Sequence, residues 1–305
     1  MTEETDAPAV RQQSFDVTGP IELDLEISAG RIEVRLTDEP GVHVEVRPDA
    51  SAGSPWLQGM SSLLTWFGGQ FGDRFGDQFG ERFGDVTPAE AVRQTRIDLT
   101  AGRLVVRAPR ALPLRSVPLS VIVRAPAGSH PNARSGSGNI EVAGSAGRLD
   151  AHTGSGEITA DRADGPAKVH SGSGAVRLGP MLAGLRARTG TGDLEVSSIA
   201  GSASLFTGSG DVWLGAVAGD VMARTGSGDL TVADAASGEI ELQTGSGAIR
   251  VGVRAGSAAE IDLSSGTGEA RSELPLTGAR PESAPRLRVR GRTASGLAVV
   301  SPATT

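Results

Sequence analysis

The chain has no cysteine in its 305 residues, and Lys168 is its single lysine against 28 arginines. The first absence excludes disulfides and thiolate chemistry and leaves the redox compartment open. The second, with a net charge of −7, speaks against nucleic-acid binding driven by bulk electrostatics. Aromatic residues make up 3% of the sequence, so a core running through most of the chain has to be thin. Long apolar runs are missing too: no window approaches a membrane-spanning helix, and the start, Met1-Thr-Glu-Glu-Thr-Asp, is acidic with no apolar stretch behind it. No secretory signal, no transmembrane segment and a cytoplasmic location are expected.

What the chain has in abundance is glycine, 43 residues, much of it in a recurring phrase Ser/Thr-Gly-Ser/Thr-Gly. Copies begin at Ser135, Thr153, Ser171, Thr189, Thr207 and Thr225, each 18 residues after the last, with looser copies at Thr244 and Ser265. An alternating apolar pair follows each phrase, as in Val176/Leu178, Leu194/Val196 and Val212/Leu214, and a second pair comes about nine residues later, as in Leu185/Ala187, Ala203/Leu205 and Val221/Ala223. Apolar residues at every second position mean strands with one buried face. Two short strands and two turns cannot bury their own apolar side, so the units must stack. The pattern predicts an all-β fold: a single-stranded β-solenoid, β-helix-like or β-roll-like, with coils of about 18 residues, two short strands per coil and two strand layers facing each other. Glycines are expected at the corners, where a Cβ would obstruct the backbone angles. The Ser/Thr column beside them is expected to hydrogen-bond from coil to coil.

Around the regular stretch, residues 134–272, the alternation is less even. Residues 1–15 read as a disordered tail. Residues 16–133 read as irregular N-terminal coils that close one end, with strands around Ile21–Ile27, Ile32–Leu36, Val42–Val46 and Val117–Val123. Residues 273–305 read as a Pro-rich loop and closing strands, in which Arg286, Arg288, Arg290 and Arg292 are expected to guard the end of the stack against added strands.

An insertion at about 51–90 has another character. Trp56, Leu57, Met60, Leu63, Leu64 and Phe67 fit one face of a helix, and Trp66 lies among them. Phe67, Phe71, Phe75, Phe79 and Phe83 then recur every four residues, each followed by Gly. That spacing drifts round a helix, and each Gly costs roughly 1 kcal/mol of helix stability, so only partial helix is expected. The segment either folds over the stack as a lid or is a contact surface for a protein partner or a second copy. Its acidic residues outnumber Arg74 and Arg82, which argues against anionic lipid.

Candidate chemistry is sparse. His152 and His170 stand one unit apart, but the equivalent positions hold Arg134, Arg188, Phe206, Arg224 and Gln243, and no third metal ligand joins them. Glu157, Asp193, Asp211, Asp229 and Glu269 follow the glycine phrase directly, whereas calcium-binding β-rolls place the carboxylate two residues on, and Ala175 and Ala248 interrupt the column; calcium is not expected. No Gly-x-Ser-x-Gly elbow leads into a helix, and no Gly-x-Gly opens one to cradle phosphate. Trp213 is expected to face outward among Glu195, Thr231 and Arg250.

The repeats Thr-Gly-Ser-Gly-Asp-φ-x-φ, with Thr225-Gly-Ser-Gly-Asp-Leu as the clearest copy, the opening Phe15-Asp16-Val17, the strands at Glu33-Val34-Arg35 and Val44-Glu45-Val46-Arg47 and the closing Thr293-Ala-Ser-Gly-Leu resemble a bacterial family of unknown function whose members are labelled "putative adhesin". The resemblance covers most of the chain, implies a β-solenoid and brings no catalytic residue set and no cofactor. The resulting expectation is a non-enzymatic binding or scaffold protein presenting repetitive outer faces to a partner. Its contacts are expected at Trp56, Leu63, Trp66, Phe67, Phe71, Phe75, Phe79, Phe83 and Trp213. The alternatives are a cytosolic self-assembling scaffold resembling bactofilins and a surface adhesin exported without a recognisable signal.

Overall fold

The computed structural model describes residues 9–49, 87–275 and 285–303. The first strands are β1 (Arg11–Phe15), β2 (Glu22–Thr37) and β3 (Val42–Pro48); helix α1 (Pro88–Gln94), β4 (Arg96–Thr100), β5 (Arg103–Arg107) and β6 (Leu119–Pro126) follow. The regular region contains β7 (His130–Ala146), β8 (Leu149–Thr153), β9 (Ile158–Ala163), β10 (Ala167–Ser171), β11 (Val176–Met181), β12 (Leu185–Thr189), β13 (Leu194–Ile199), β14 (Ala203–Ser209), β15 (Val212–Ala218) and β16 (Val221–Ser227). The chain then forms β17 (Leu230–Ser246), β18 (Ile249–Val253), β19 (Ala259–Ser265), β20 (Ala270–Ser272), β21 (Leu287–Ser295) and β22 (Ala298–Pro302). The fold is nearly all β, with one long, mostly parallel strand ladder in a solenoid-like arrangement.

In the regular region each strand pairs in parallel with the strand two ahead, residue for residue. Leu149, Ala167, Leu185, Ala203 and Val221 are successive partners on one side, and Ile158, Val176, Leu194, Val212 and Leu230 on the other. Their side chains are buried. A third inward column, Ala146, Ala163, Met181, Ile199, Val217, Ala235 and Val253, lies beyond the second strand position, where the alternation breaks; two facing pairs per unit had been the sequence expectation. The core therefore gains volume from side chains such as Met181 and Ile199 that no period-two pattern marks.

The glycine phrase is explained by proximity more than by backbone angle. A Cβ on Gly208, Gly226 or Gly245 would lie 2.5–2.6 Å from the carbonyl oxygen of the glycine one coil earlier. The neighbouring Thr153, Ser171, Thr189, Thr207, Thr225, Thr244 and Thr293 are buried. Their hydroxyls donate to the carbonyls of Gly138, Gly156, Gly174, Gly192, Gly210, Gly228 and Gly247 at 2.9–3.2 Å, tying each layer to the one before. The looser copy at Thr244 has a local cause: one additional residue enters the turn at 236–238, the register shifts there, Gly238 takes φ +104, and Val221 then faces Ile240.

Both ends depart from chain order. β2 passes through both sides of a layer and lies between β7 and the later pair β5 and β6. Antiparallel strands finish this end, β3 and then β1 beside β6, and β4 beside β5. Residues 11–15, expected as part of a disordered tail, are thus the edge strand β1: Arg11, Gln13 and Phe15 alternate against Val46, Val44 and Val42. Helix α1 supports this region. Thr87 caps it by accepting from the Glu90 N–H, Pro88 stands in the first turn, Ala91 and Val92 are buried, and the Arg11 guanidinium donates to the carbonyls of Arg93 and Thr95.

At the other end β21 lies between β17 and β19, and β22 between β18 and β20. The expected guard of four arginines is therefore not at an edge. Both edges of the Leu287–Ser295 strand are paired, and Arg288 and Arg290 bond to Glu260 and Glu239 on its two neighbours. Among the described residues, the outermost layer at this end comes instead from Ala259–Ser265 and Ala270–Ser272, whose apolar residues Ile261 and Leu263 are only partly buried.

Candidate binding surface

Parallel pairing in strict register turns each outward sequence position into a column along the stack. On the face of β8, β10, β12, β14 and β16, one column reads Arg134, His152, His170, Arg188, Phe206, Arg224 and Gln243. The column two residues earlier reads Asn132, Asp150, Lys168, Arg186, Ser204, Met222 and Glu241. The imidazoles of His152 and His170 stack with ring centres 4.6 Å apart. Burial lowers the His170 pKa, and the neighbouring charges of His152, Arg188 and Lys168 act in the same direction. The Arg188 guanidinium sits 5.0 Å from the centre of the Phe206 ring.

Most exposed arginines have acidic partners, including Arg148 with Glu22, Arg224 with Glu241, Arg250 with Asp229 and Arg254 with Asp234. Arg134, Lys168, Arg186 and Arg188 form no ion pair among the described residues, although they occupy neighbouring strands of one face. A groove of about 800 Å³ runs along the stack beside them. Pro166, Ala183, Gly184 and Ser202 lie on its turn side, with Lys168 and Arg186 on its strand side. Small residues at successive turns make the depression, and the adjoining strand positions supply its charge.

The acidic column expected beside the glycine phrase has a structural role. Asp193, Asp211 and Asp229 accept from the backbone N–H of Asp211, Asp229 and Ala248, and Asn139 accepts from Glu157. The Ala248 N–H, and then Arg250, hold the Asp229 carboxyl below its ordinary pKa. These carboxylates are occupied with the next layer's backbone. Among the described residues, no group of three or more His, Asp or Glu is placed to hold a metal ion.

Trp213 faces outward, 41% exposed, between Glu195 and Thr231, with its ring edge over Gly215. Trp56, Leu63, Trp66, Phe67, Phe71, Phe75, Phe79 and Phe83 lie outside the described residues. The group of unpaired cations was not read from the sequence as a site. Part of its signal was available: with the repeat units aligned, the column from Arg134 to Gln243 carries three arginines and no acid, whereas in the neighbouring column Asp150 and Glu241 offset Lys168 and Arg186.

The sequence family described as Toastrack DUF4097 matches residues 120–295. No curated protein matches the chain. Among solved structures, a "putative adhesin" from Bacteroides fragilis is similar with 10% identity and a TM-score of 0.43, covering 96% of each chain. A "putative adhesin" from Parabacteroides distasonis gives 13% identity and a TM-score of 0.29, again covering 96% of each chain. A "putative lipid binding protein" from the same organism gives 10% identity and a TM-score of 0.32, covering 97% of this chain and 95% of that one.

Proposed function

The chain belongs to the Toastrack DUF4097 family, and from that premise we propose that it is a non-catalytic binding or scaffold protein. In this reading it is a β-solenoid of about 18-residue, two-strand coils whose outer ladders meet a partner. The observation that carries the reading is the registered outer surface, where apolar side chains stand exposed: Phe206 at 42% and Met222 at 39% on neighbouring strands of one ladder, and Trp213 at 41% on the other. A globular partner can contact such a ladder at several equivalent positions without displacing any backbone pairing.

The proposed principal contact is the aromatic segment 51–86, engaging a protein partner or a second copy. Thr87 caps α1, and Ala91 and Val92 belong to the core, so the test deletes residues 51–86 and stops there. Joining Ala50 to Thr87 through a short Gly-Ser linker is expected to preserve the melting transition and abolish association in light scattering. Unchanged oligomerisation of a folded deletion variant would refute the reading. In cell fractionation the protein is expected in the cytoplasm; recovery at the cell surface would favour the adhesin alternative.

A second reading, end-to-end assembly into a scaffold resembling bactofilins, is supported by one feature. Among the described residues, the outer strand Ala259–Ser265 has a neighbour on one side only. Electron microscopy at high concentration should then reveal filaments; isolated short particles alone would exclude it.

A further inference from the structure

We propose that the groove beside Lys168 and Arg186, with the adjoining Arg134, His152, His170 and Arg188 column, binds an acidic oligosaccharide lying along the stack. The inference extends the binding-surface reading by naming a face and a ligand chemistry. Its basis is the concentration of unpaired cations on one small part of an acidic protein. Four strands separated by about 4.8 Å bring Arg134 to Arg188 within roughly 14 Å, a distance spanned by a short oligomer. Guanidinium groups bind carboxylate or sulfate through paired N–H donors, and Lys168 adds a compact charge beside them.

Three features select a sugar backbone over other anionic chains. Extended peptides gain affinity by pairing with a free strand edge, whereas β8, β10, β12 and β14 are paired on both sides. Single-stranded nucleic acid stacks successive bases on free aromatic platforms, while the rings of this column are already engaged: His152 and His170 stack on each other, and Arg188 lies over Phe206. The groove also changes character along its length. The unpaired cations occupy its middle, Ser202 and Ser204 bring hydroxyls, Asp150 lies at one end beside Arg148, which is paired with Glu22, and Asp220 lies at the other with Glu239 and Glu241, which are paired with Arg290 and Arg224. Carboxylates would repel a uniformly charged polymer but accept hydrogen bonds from sugar hydroxyls, so the arrangement fits a ligand with few anionic groups and many hydroxyls.

The test titrates the full chain at low salt with four probes: κ-carrageenan oligosaccharides and hyaluronan oligosaccharides, each with about one anionic group per two sugars, oligothymidylate and polyglutamate. Binding to either saccharide supports the proposal, with κ-carrageenan marking a sulfate preference and hyaluronan a carboxylate preference. The double substitution Lys168→Glu/Arg186→Glu should weaken that binding by about tenfold or more as two charge-assisted contacts are lost, while Arg254→Glu should leave it unchanged. If charge reversal lowers the melting temperature, Lys168→Ala/Arg186→Ala provides the same comparison. Failure of both saccharides to bind, equal binding by the folded double variant, or tighter binding of oligothymidylate or polyglutamate would overturn the proposal. Deleting residues 51–86 tests the protein-partner reading separately, because the groove contains none of them.

Discussion

Replacing Thr189 by Val keeps nearly the same shape while removing two hydrogen bonds from a fully buried position. The Thr189 hydroxyl donates to the Gly174 carbonyl at 3.2 Å and accepts from the Gly192 N–H at 3.1 Å. Val leaves both groups unsatisfied, at about 1–3 kcal/mol for each buried orphan, against a gain of about 0.8 kcal/mol for the added buried methyl. The expected net loss is about 1–5 kcal/mol. Thr207→Val is the internal standard. Thr207 donates to the Gly192 carbonyl at 3.1 Å, but the corresponding Gly210 N–H is already bonded to the Ser227 carbonyl. Only an acceptor is orphaned there, and a carbonyl left under-satisfied is less costly than an N–H. Thr189→Val should therefore destabilise by about 1 kcal/mol more than Thr207→Val, a difference of about 2–4 °C in melting temperature for a domain of this size. Urea unfolding and amide exchange at Gly192 measure it. Equal midpoints for the two variants, with Gly192 still protected, would refute the second bond assigned to Thr189, and two variants as stable as the parent would refute the hydroxyl column as interlayer support.

Gly226→Ala should cost at least about 2 kcal/mol, since its Cβ would meet the Gly208 carbonyl 2.6 Å away, whereas Gly19→Ala, with open space around it, should be nearly neutral; parallel thermal melts distinguish them. His170 has a pKa below its ordinary value in the folded state, so its unfolded form binds more protons and stability should fall as pH drops from about 7 through the ordinary histidine range; His170→Gln should flatten that slope in melts taken between about pH 5 and 7.5. Truncation after residue 285 removes the layer between β17/β18 and β19/β20, and limited proteolysis should then cut within 254–275 while leaving the layers before β16 protected.

The regular layers were legible because their information is local and repeated. Leu185, Ala203 and Val221 recur at one interval, and parallel pairing places them on top of one another. The third inward column was harder to see, since Met181 and Ile199 follow a bend that breaks the two-residue alternation. The order of layers at the ends was not legible: a strand like Leu287–Ser295 has the same pattern whether it lies at an edge or between two neighbours, and the decision rests on contacts with Ile240 and Ile261, distant in the chain. Residues 11–15 were misread because Arg11-Gln-Gln-Ser carries almost no hydrophobic signal; partner Val44 and the helix carbonyls reached by Arg11 make it a strand. At the candidate surface, the individual residues were visible, but an ion-pair census requires knowing which side chains are neighbours. Arg224 finds Glu241 on the next strand, while among the described residues Arg186 finds no such partner.

The interleaved termini also govern how such a protein can change size. A segment appended after Pro302 would not extend the column, because β22 already has a strand on either side. An 18-residue unit inserted between β8 and β16, however, would meet the same Leu, Val, Gly and Thr rows above and below it. Length can thus be adjusted in the middle while both closures are kept, and each inserted unit would lengthen the outer ladders by one rung.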